Sequence, residues 1–235
     1  MFFDPLFIIM ILPPMFLAMW AQSQVKGNYV KYSKLLSRRG MTGAQVAEEL
    51  LSQNGIKDVK VEQVQGELTD HYDPRSKTIR LSQGIYGSTS VAALSIAAHE
   101  AGHAVQHDTR YAPLSLRSAI LPVASIGSNA GIWLFMIGIM LAAFAGSPFA
   151  EQMMLAGIVL FSAAVAFQLI TLPVEFDASK RAISMLEEYN FLDESEIKPA
   201  KAVLRAAALT YVAAAAIAMA HLLRFILIFA GRRND

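Results

Sequence analysis

One pentapeptide in this chain combines residues able to hold a metal and activate water: His99-Glu100-Ala101-Gly102-His103. Two histidines at i and i+4 lie on one face of a helix, about one turn apart, so each imidazole can give one nitrogen to a single tetrahedral zinc ion. Glu100 is adjacent to a ligand and can reach the metal's water as a general base without itself ligating. Zinc lowers the pKa of such a water to roughly 7, so a nucleophile is available at neutral pH. Histidine is scarce, five in 235 residues, which sets this spacing apart from composition. The chain has no cysteine. Disulfides, thiol nucleophiles, iron–sulfur clusters and thiolate zinc sites are therefore excluded, and any metal must be held by His and carboxylates.

A catalytic zinc takes three protein ligands and leaves its fourth position to water. The pattern with another His six residues after the second one is absent, because position 109 is Thr109. His107 lies one turn past His103 on the same helix. Three consecutive turns cannot converge on one ion, so His107 is expected at the surface or beside the site. The stretch Leu172-Pro173-Val174-Glu175-Phe176-Asp177-Ala178-Ser179-Lys180-Arg181-Ala182 offers two carboxylates. Glu175 can complete a His2Glu site; Asp177 is the rival ligand, or a partner that orients an imidazole. Peptide hydrolysis develops an oxyanion, and His71, Tyr72, Arg181 and Tyr211 are the candidates to stabilise it. An exposed strand around 78–81 is a candidate to pair with an extended substrate.

The elements that must position these groups are legible nearby. Ser88-Thr89-Ser90 can cap a helix reading VAALSIAAHEAGHAVQHD, which carries the motif. Upstream, Thr42 with Gln45 reads as a capping box before the amphipathic AQVAEELLSQ, and Gly55 reads as its stop. VKVEQV (59–64) and TIRL (78–81) read as strands, with turn chemistry at Tyr72-Asp73-Pro74-Arg75-Ser76 between them. Residues 41–117 are thus expected to form a small α+β unit.

The rest of the chain is apolar. Hydrophobic residues make up 54% and charged residues 17%, and the mean hydropathy is +0.41, a membrane-protein composition. Twenty Lys plus Arg against nineteen Asp plus Glu leave +1, so there is no electrostatic drive toward nucleic acid. Four apolar runs approach or reach spanning length: 5–22, 119–145, 152–173 and 206–230. The first is interrupted by Pro13-Pro14 and reads as a kinked, retained anchor, since no basic n-region or A-x-A-like site marks a signal peptide. The second and third are separated by Gly146-Ser147-Pro148 and read as an antiparallel hairpin. The fourth carries His221 and Arg224 inside it.

Residues 23–117 hold twelve of the twenty Lys and Arg, residues 174–205 hold five, and residues 146–151 hold none. The positive-inside rule then makes both basic segments cytoplasmic. Arg232-Arg233 departs from this pattern if the fourth run crosses. The expected organisation is an anchor (1–22), a cytoplasmic segment with the motif (23–117), a transmembrane hairpin (118–173), a cytoplasmic segment with the third ligand (174–205) and a transmembrane helix (206–235). The expected fold class is a mainly α membrane protein, with about four transmembrane helices and a small α+β cytoplasmic zincin-like domain.

H-E-A-G-H, two spans and then V-E-F-D-A-S-K-R-A resemble the YugP-type membrane zinc metallopeptidases, a family of bacterial gluzincin proteases. More distantly the chain resembles the heat-shock and CAAX-prenyl membrane proteases, which pair H-E-x-x-H with a later E-x-x-A-D. The resemblance runs from the first anchor to about residue 215. It implies one catalytic zinc ion, with His99, His103 and Glu175 as ligands and Glu100 as base, in a multi-pass protein of the bacterial plasma membrane. Ser179 stands where the distant relatives have Asp, with Asp177 as the candidate substitute. The implied activity is endopeptidase action on membrane proteins or peptides at the cytoplasmic face. The expected partners are a polypeptide substrate and the lipid bilayer, with a second copy or a regulatory membrane protein as further candidates, and no nucleic acid. An intramembrane site-2-type protease fits poorly, because only Val91–Ala98 are apolar before His99 and no Asp-Gly occurs. The non-enzymatic alternative is a membrane scaffold or transporter subunit with a structural zinc, where Glu100 would have no use.

Overall fold

The computed structural model describes residues 5–145 and 148–232. Gly146 and Ser147 of the expected hairpin turn, and Arg233 of the basic tail, lie outside the described residues. The element order is α1 (Pro5–Tyr32), α2 (Gly43–Gln53), β1 (Lys60–Val64), β2 (His71–Asp73), β3 (Thr78–Ser82), α3 (Gln83–Tyr86), α4 (Val91–Asp108), α5 (Ala112–Met140), a π-helical turn (Leu141–Ala145), α6 (Ala150–Glu188) and α7 (Glu194–Arg232). The chain is mainly helical with one small sheet. Among the described residues, four stretches of helix are long and apolar enough to cross a membrane: Phe7–Tyr32, Ala112–Phe144, Ala150–Glu188 and Glu194–Arg232.

Two compact units emerge. One gathers Met1–Met19, Leu116–Leu172 and Tyr211–Asp235; the other gathers Trp20–Ser115 and Pro173–Thr210. In the first, α5 and α6 approach through glycine, as helices in lipid do when small residues let their backbones meet. A Cβ on Gly131 would lie 2.8 Å from the Phe161 nitrogen, and one on Gly157 would lie 2.6 Å from the Phe135 nitrogen. Phe135 then stacks on Phe225 of α7 with ring centroids 4.2 Å apart, over Met154 and Phe161. Gly157→Val is expected to wedge this hairpin apart and cost about 1–3 kcal/mol, as overpacking does. Thermal unfolding in detergent would read it, and an unchanged midpoint would refute the close approach.

The second unit packs α4 between α2 and the sheet on one side and α6 on another. Its core joins Val46 and Leu50 of α2, Ile79 and Leu81 of β3, Leu94, Ala97 and Ala101 of α4, and Ala182 and Leu186 of α6. Ala92, Ala93, Ala97, Ala98, Ala101 and Ala104 keep α4 slim enough to be buried on several faces. Thr42 forms the expected capping box with Gln45, and Gly55 takes a left-handed φ of +73 just past the end of α2.

Two local expectations need correction. Tyr72 and Asp73 are not turn residues but part of β2, which pairs antiparallel with β3; the turn is confined to Pro74–Lys77. A three-residue strand is too short to show alternation. The sheet order β1-β3-β2 places β3 in the middle, so residues 78–81 have no free edge for a substrate. Helix α1, the expected anchor, runs on through Pro13 and Pro14. The prolines withhold the hydrogen bonds that the Ile9 and Met10 carbonyls would accept, without ending the helix.

Candidate metal centre

Helix α4 begins where the sequence indicates. Ser90 Oγ accepts from the Ala93 amide at 3.2 Å and the Ser88 hydroxyl donates to Ser90 Oγ at 3.0 Å. The chain leaving α1 clamps the same end: Ser37 N donates to Thr89 O at 2.9 Å and Val91 N to Leu35 O at 2.8 Å. Further along, α4 meets α6 backbone to backbone. A Cβ on Gly102 would lie 2.7 Å from the Ala178 carbonyl oxygen. Ala178 follows Glu175 by three residues, so both share a face of α6 and the glycine brings that face onto the motif. Gly102→Ala is expected to push α6 outward, costing about 1–3 kcal/mol and weakening zinc retention together. Zinc content beside thermal unfolding tests this, and a variant equal to the parent in both would sink it.

The approach gathers the three expected ligand side chains. Glu175 Oε2 lies 3.3 Å from His99 Nε2 and 3.5 Å from His103 Nε2. One ligand atom from each of His99, His103 and Glu175 falls within 4.8 Å of the others. The two rings meet edge to face, with centroids 4.7 Å apart. Both Nδ1 atoms are held by protein: His99 Nδ1 by the Ser179 hydroxyl at 3.2 Å, His103 Nδ1 by Gln106 Oε1 at 3.0 Å. Glu175 and His103 are buried, and His99 is half-buried. Burial disfavours charge on His103, but the Glu175 hydrogen bond and the Glu100 and Glu175 charges outweigh it, holding its pKa above the usual histidine value. Two Nε2 atoms and a carboxylate oxygen facing one point fit a zinc ion with one position left open. Glu100 is buried beside His99, and its carboxylate has no hydrogen-bond partner among the described residues.

Comparison with known proteins agrees with this geometry. The family described as "Putative neutral zinc metallopeptidase" matches residues 7–230. The chain belongs to this zinc metallopeptidase family. It is also 46% identical over 230 residues to the "Putative membrane protease YugP" of Bacillus subtilis (strain 168), covering 98% of this chain and 99% of that one. No solved structure matches it.

The remaining candidate residues of this metallopeptidase are dispersed. Asp177 accepts from Gln106 Nε2 at 2.8 Å and from Arg181 Nε at 2.6 Å, and is not in the three-ligand group. Arg181 is paired with Asp177 and places its guanidinium 5.7 Å from the Tyr111 ring centre. His71 is exposed in β2, with Nδ1 2.8 Å from the carbonyl of Thr69, two residues before it. Tyr211 is half-buried on α7, in the first unit. Tyr72 pairs instead with His107: its hydroxyl lies 2.8 Å from His107 Nδ1. Burial and the nearby Asp58, Asp73 and Asp108 push the Tyr72 phenol up to about 12, so it stays protonated. That pair lines a cleft of about 330 Å³ with Asp58, Lys77, Asp108 and Arg110. Sequence reasoning missed Gln106 and the packing role of Gly102. The signal for Gln106 was an amide three positions after His103, on the same face of the helix as that histidine.

Proposed function

We propose that this chain is a zinc-dependent endopeptidase of the gluzincin type that hydrolyses peptide bonds of membrane proteins or peptides at the cytoplasmic face of a bacterial plasma membrane. The observation that carries the reading is the convergence of His99 Nε2, His103 Nε2 and Glu175 Oε2 beside the buried Glu100. Zinc, when bound, supplies a Lewis acid that polarises the scissile carbonyl and lowers the pKa of water. His99, His103 and Glu175 hold it, and the protein bonds to both Nδ1 atoms aim the rings. Glu100 accepts the proton of the attacking water and returns it to the leaving amine nitrogen. Its lack of a side-chain partner keeps the carboxylate available for that transfer. Asp177 and Arg181 neutralise each other and act through Gln106 rather than on the peptide.

The four apolar helices support a multi-pass position in a bilayer, and the Lys and Arg distribution supports a cytoplasmic position for residues 23–117 and 174–205. Lys57→Cys and Lys198→Cys are expected to label from the same side, in a chain with no native cysteine. Opposite accessibility would overturn the topology. For the activity, the zinc-loaded chain in detergent is expected to cleave unfolded membrane proteins or casein, to stop when chelated, and to recover when zinc is restored. Bound zinc with no hydrolysis of any unfolded substrate would favour a structural metal in a scaffold.

A further inference from the structure

Both histidines of the metal group turn Nε2 toward Glu175 and give Nδ1 to the protein, but they are held in unlike ways. His99 Nδ1 meets the Ser179 hydroxyl at 3.2 Å. A hydroxyl both donates and accepts, so that contact suits either tautomer. His103 Nδ1 meets Gln106 Oε1 at 3.0 Å, and this amide is not free to turn. Its nitrogen donates to the Val174 carbonyl at 2.8 Å and to the Asp177 carboxylate at 2.8 Å. Turned over, the amide would set its oxygen against two oxygens that have no proton to give. The oxygen end must therefore face His103, whose Nδ1 must carry the proton. In the neutral ring that a metal ligand must be, this leaves the lone pair on Nε2, the nitrogen on the side of Glu175. Gln106 is 0% exposed, and Asp177 is in turn gripped by Arg181 Nε at 2.6 Å.

We propose that Gln106 is a positioning residue that locks His103 in its Nδ1–H tautomer, braced by Asp177 and Arg181, and ties the backbone beside Glu175 to the helix bearing both histidines. The proposal rests on the reading of His99, His103 and Glu175 as zinc ligands and goes one shell further out. A neutral imidazole without such a lock populates both tautomers, and only one can ligate through Nε2. Removing partners of this kind typically weakens metal affinity about 10- to 100-fold.

The test uses the full chain in detergent, with zinc affinity read by competition against a chromophoric chelator. Tautomers are read by NMR of [15N]histidine, where only five residues contribute. Zinc-loaded wild-type protein is expected to show His103 with a protonated Nδ1 and a metal-bound Nε2. Gln106→Leu is expected to lose about 10- to 100-fold in zinc affinity and to lose the protected Nδ1 proton. Gln106→Glu keeps an acceptor for Nδ1–H but sets it against the Asp177 carboxylate. Combining it with Asp177→Asn supplies a donor to the new carboxylate and leaves an oxygen for Arg181, so the pair should bind zinc more tightly than Gln106→Glu alone. This rescue decides the matter even if Gln106→Leu does not fold. Wild-type affinity in Gln106→Leu, metal on Nδ1 of His103, or a double variant no tighter than Gln106→Glu would each overturn the lock. A wild-type chain that bound no zinc would instead bring down the metal site itself, which separates the two failures.

Discussion

Glu100→Gln is expected to keep its zinc and lose its hydrolysis. The substitution preserves the shape of a buried side chain and leaves His99, His103 and Glu175 untouched. Helix α4 loses no packing, because its core contacts run through Leu94, Ala97 and Ala101. What disappears is the carboxylate that accepts the water's proton. General-base assistance is worth roughly 10²–10⁴-fold, and turnover should fall by at least that range. Any self-cleavage during purification should stop as well. Zinc by elemental analysis, beside hydrolysis of a quenched peptide, separates the two properties. Near-normal turnover in this variant would mean that H-E-A-G-H is not a hydrolytic site here.

Glu175→Ala should show the converse pattern, with metal lost first and activity lost as a consequence. Glu175 is buried and faces both imidazoles from one oxygen. Its removal leaves two nitrogens to hold the ion, so the loss in affinity should exceed the roughly 10- to 100-fold that an outer hydrogen-bond partner costs. Activity should return in part with excess zinc, which Glu100→Gln cannot achieve. His107→Ala should change neither zinc content nor its affinity, because His107 is bonded to Tyr72 and stands outside the ligand group. Full zinc and full activity in Glu175→Ala would move the third ligand elsewhere, with Asp177 first to be examined.

Much of this was open to sequence reading because it is local. A capping serine, an apolar helix and two histidines one turn apart follow from spacing alone, and α4 runs from Val91 to Asp108 as the pattern indicates. The apolar runs are equally local, since a bilayer demands length and hydropathy rather than partners. Helix ends inside α6 and α7 were not legible. Both continue well past their apolar runs, because polar residues such as Lys180 and Glu187 extend a helix as readily as apolar ones do. Strand β2 escaped notice for the opposite reason. Its three residues are extended only because β3 supplies their hydrogen bonds.

The amino-acid sequence by itself determined the chemistry on offer: two imidazoles and a carboxylate on one helix, no thiol anywhere, and acidic residues at 175 and 177. It did not decide between those two acids. Residues i and i+2 on a helix point about 200° apart, so the two carboxylates cannot both turn to the point that His99 and His103 face, and neither carries a mark of which one does. The choice is made by Gly102, whose missing side chain lets the Ala178 carbonyl come within reach and turns the face bearing Glu175 onto His99 and His103. Gln106 then takes the other acid as a brace. Which face of α6 is buried depends on contact with a helix some seventy residues earlier in the chain, and no local pattern encodes a contact between two helices that far apart.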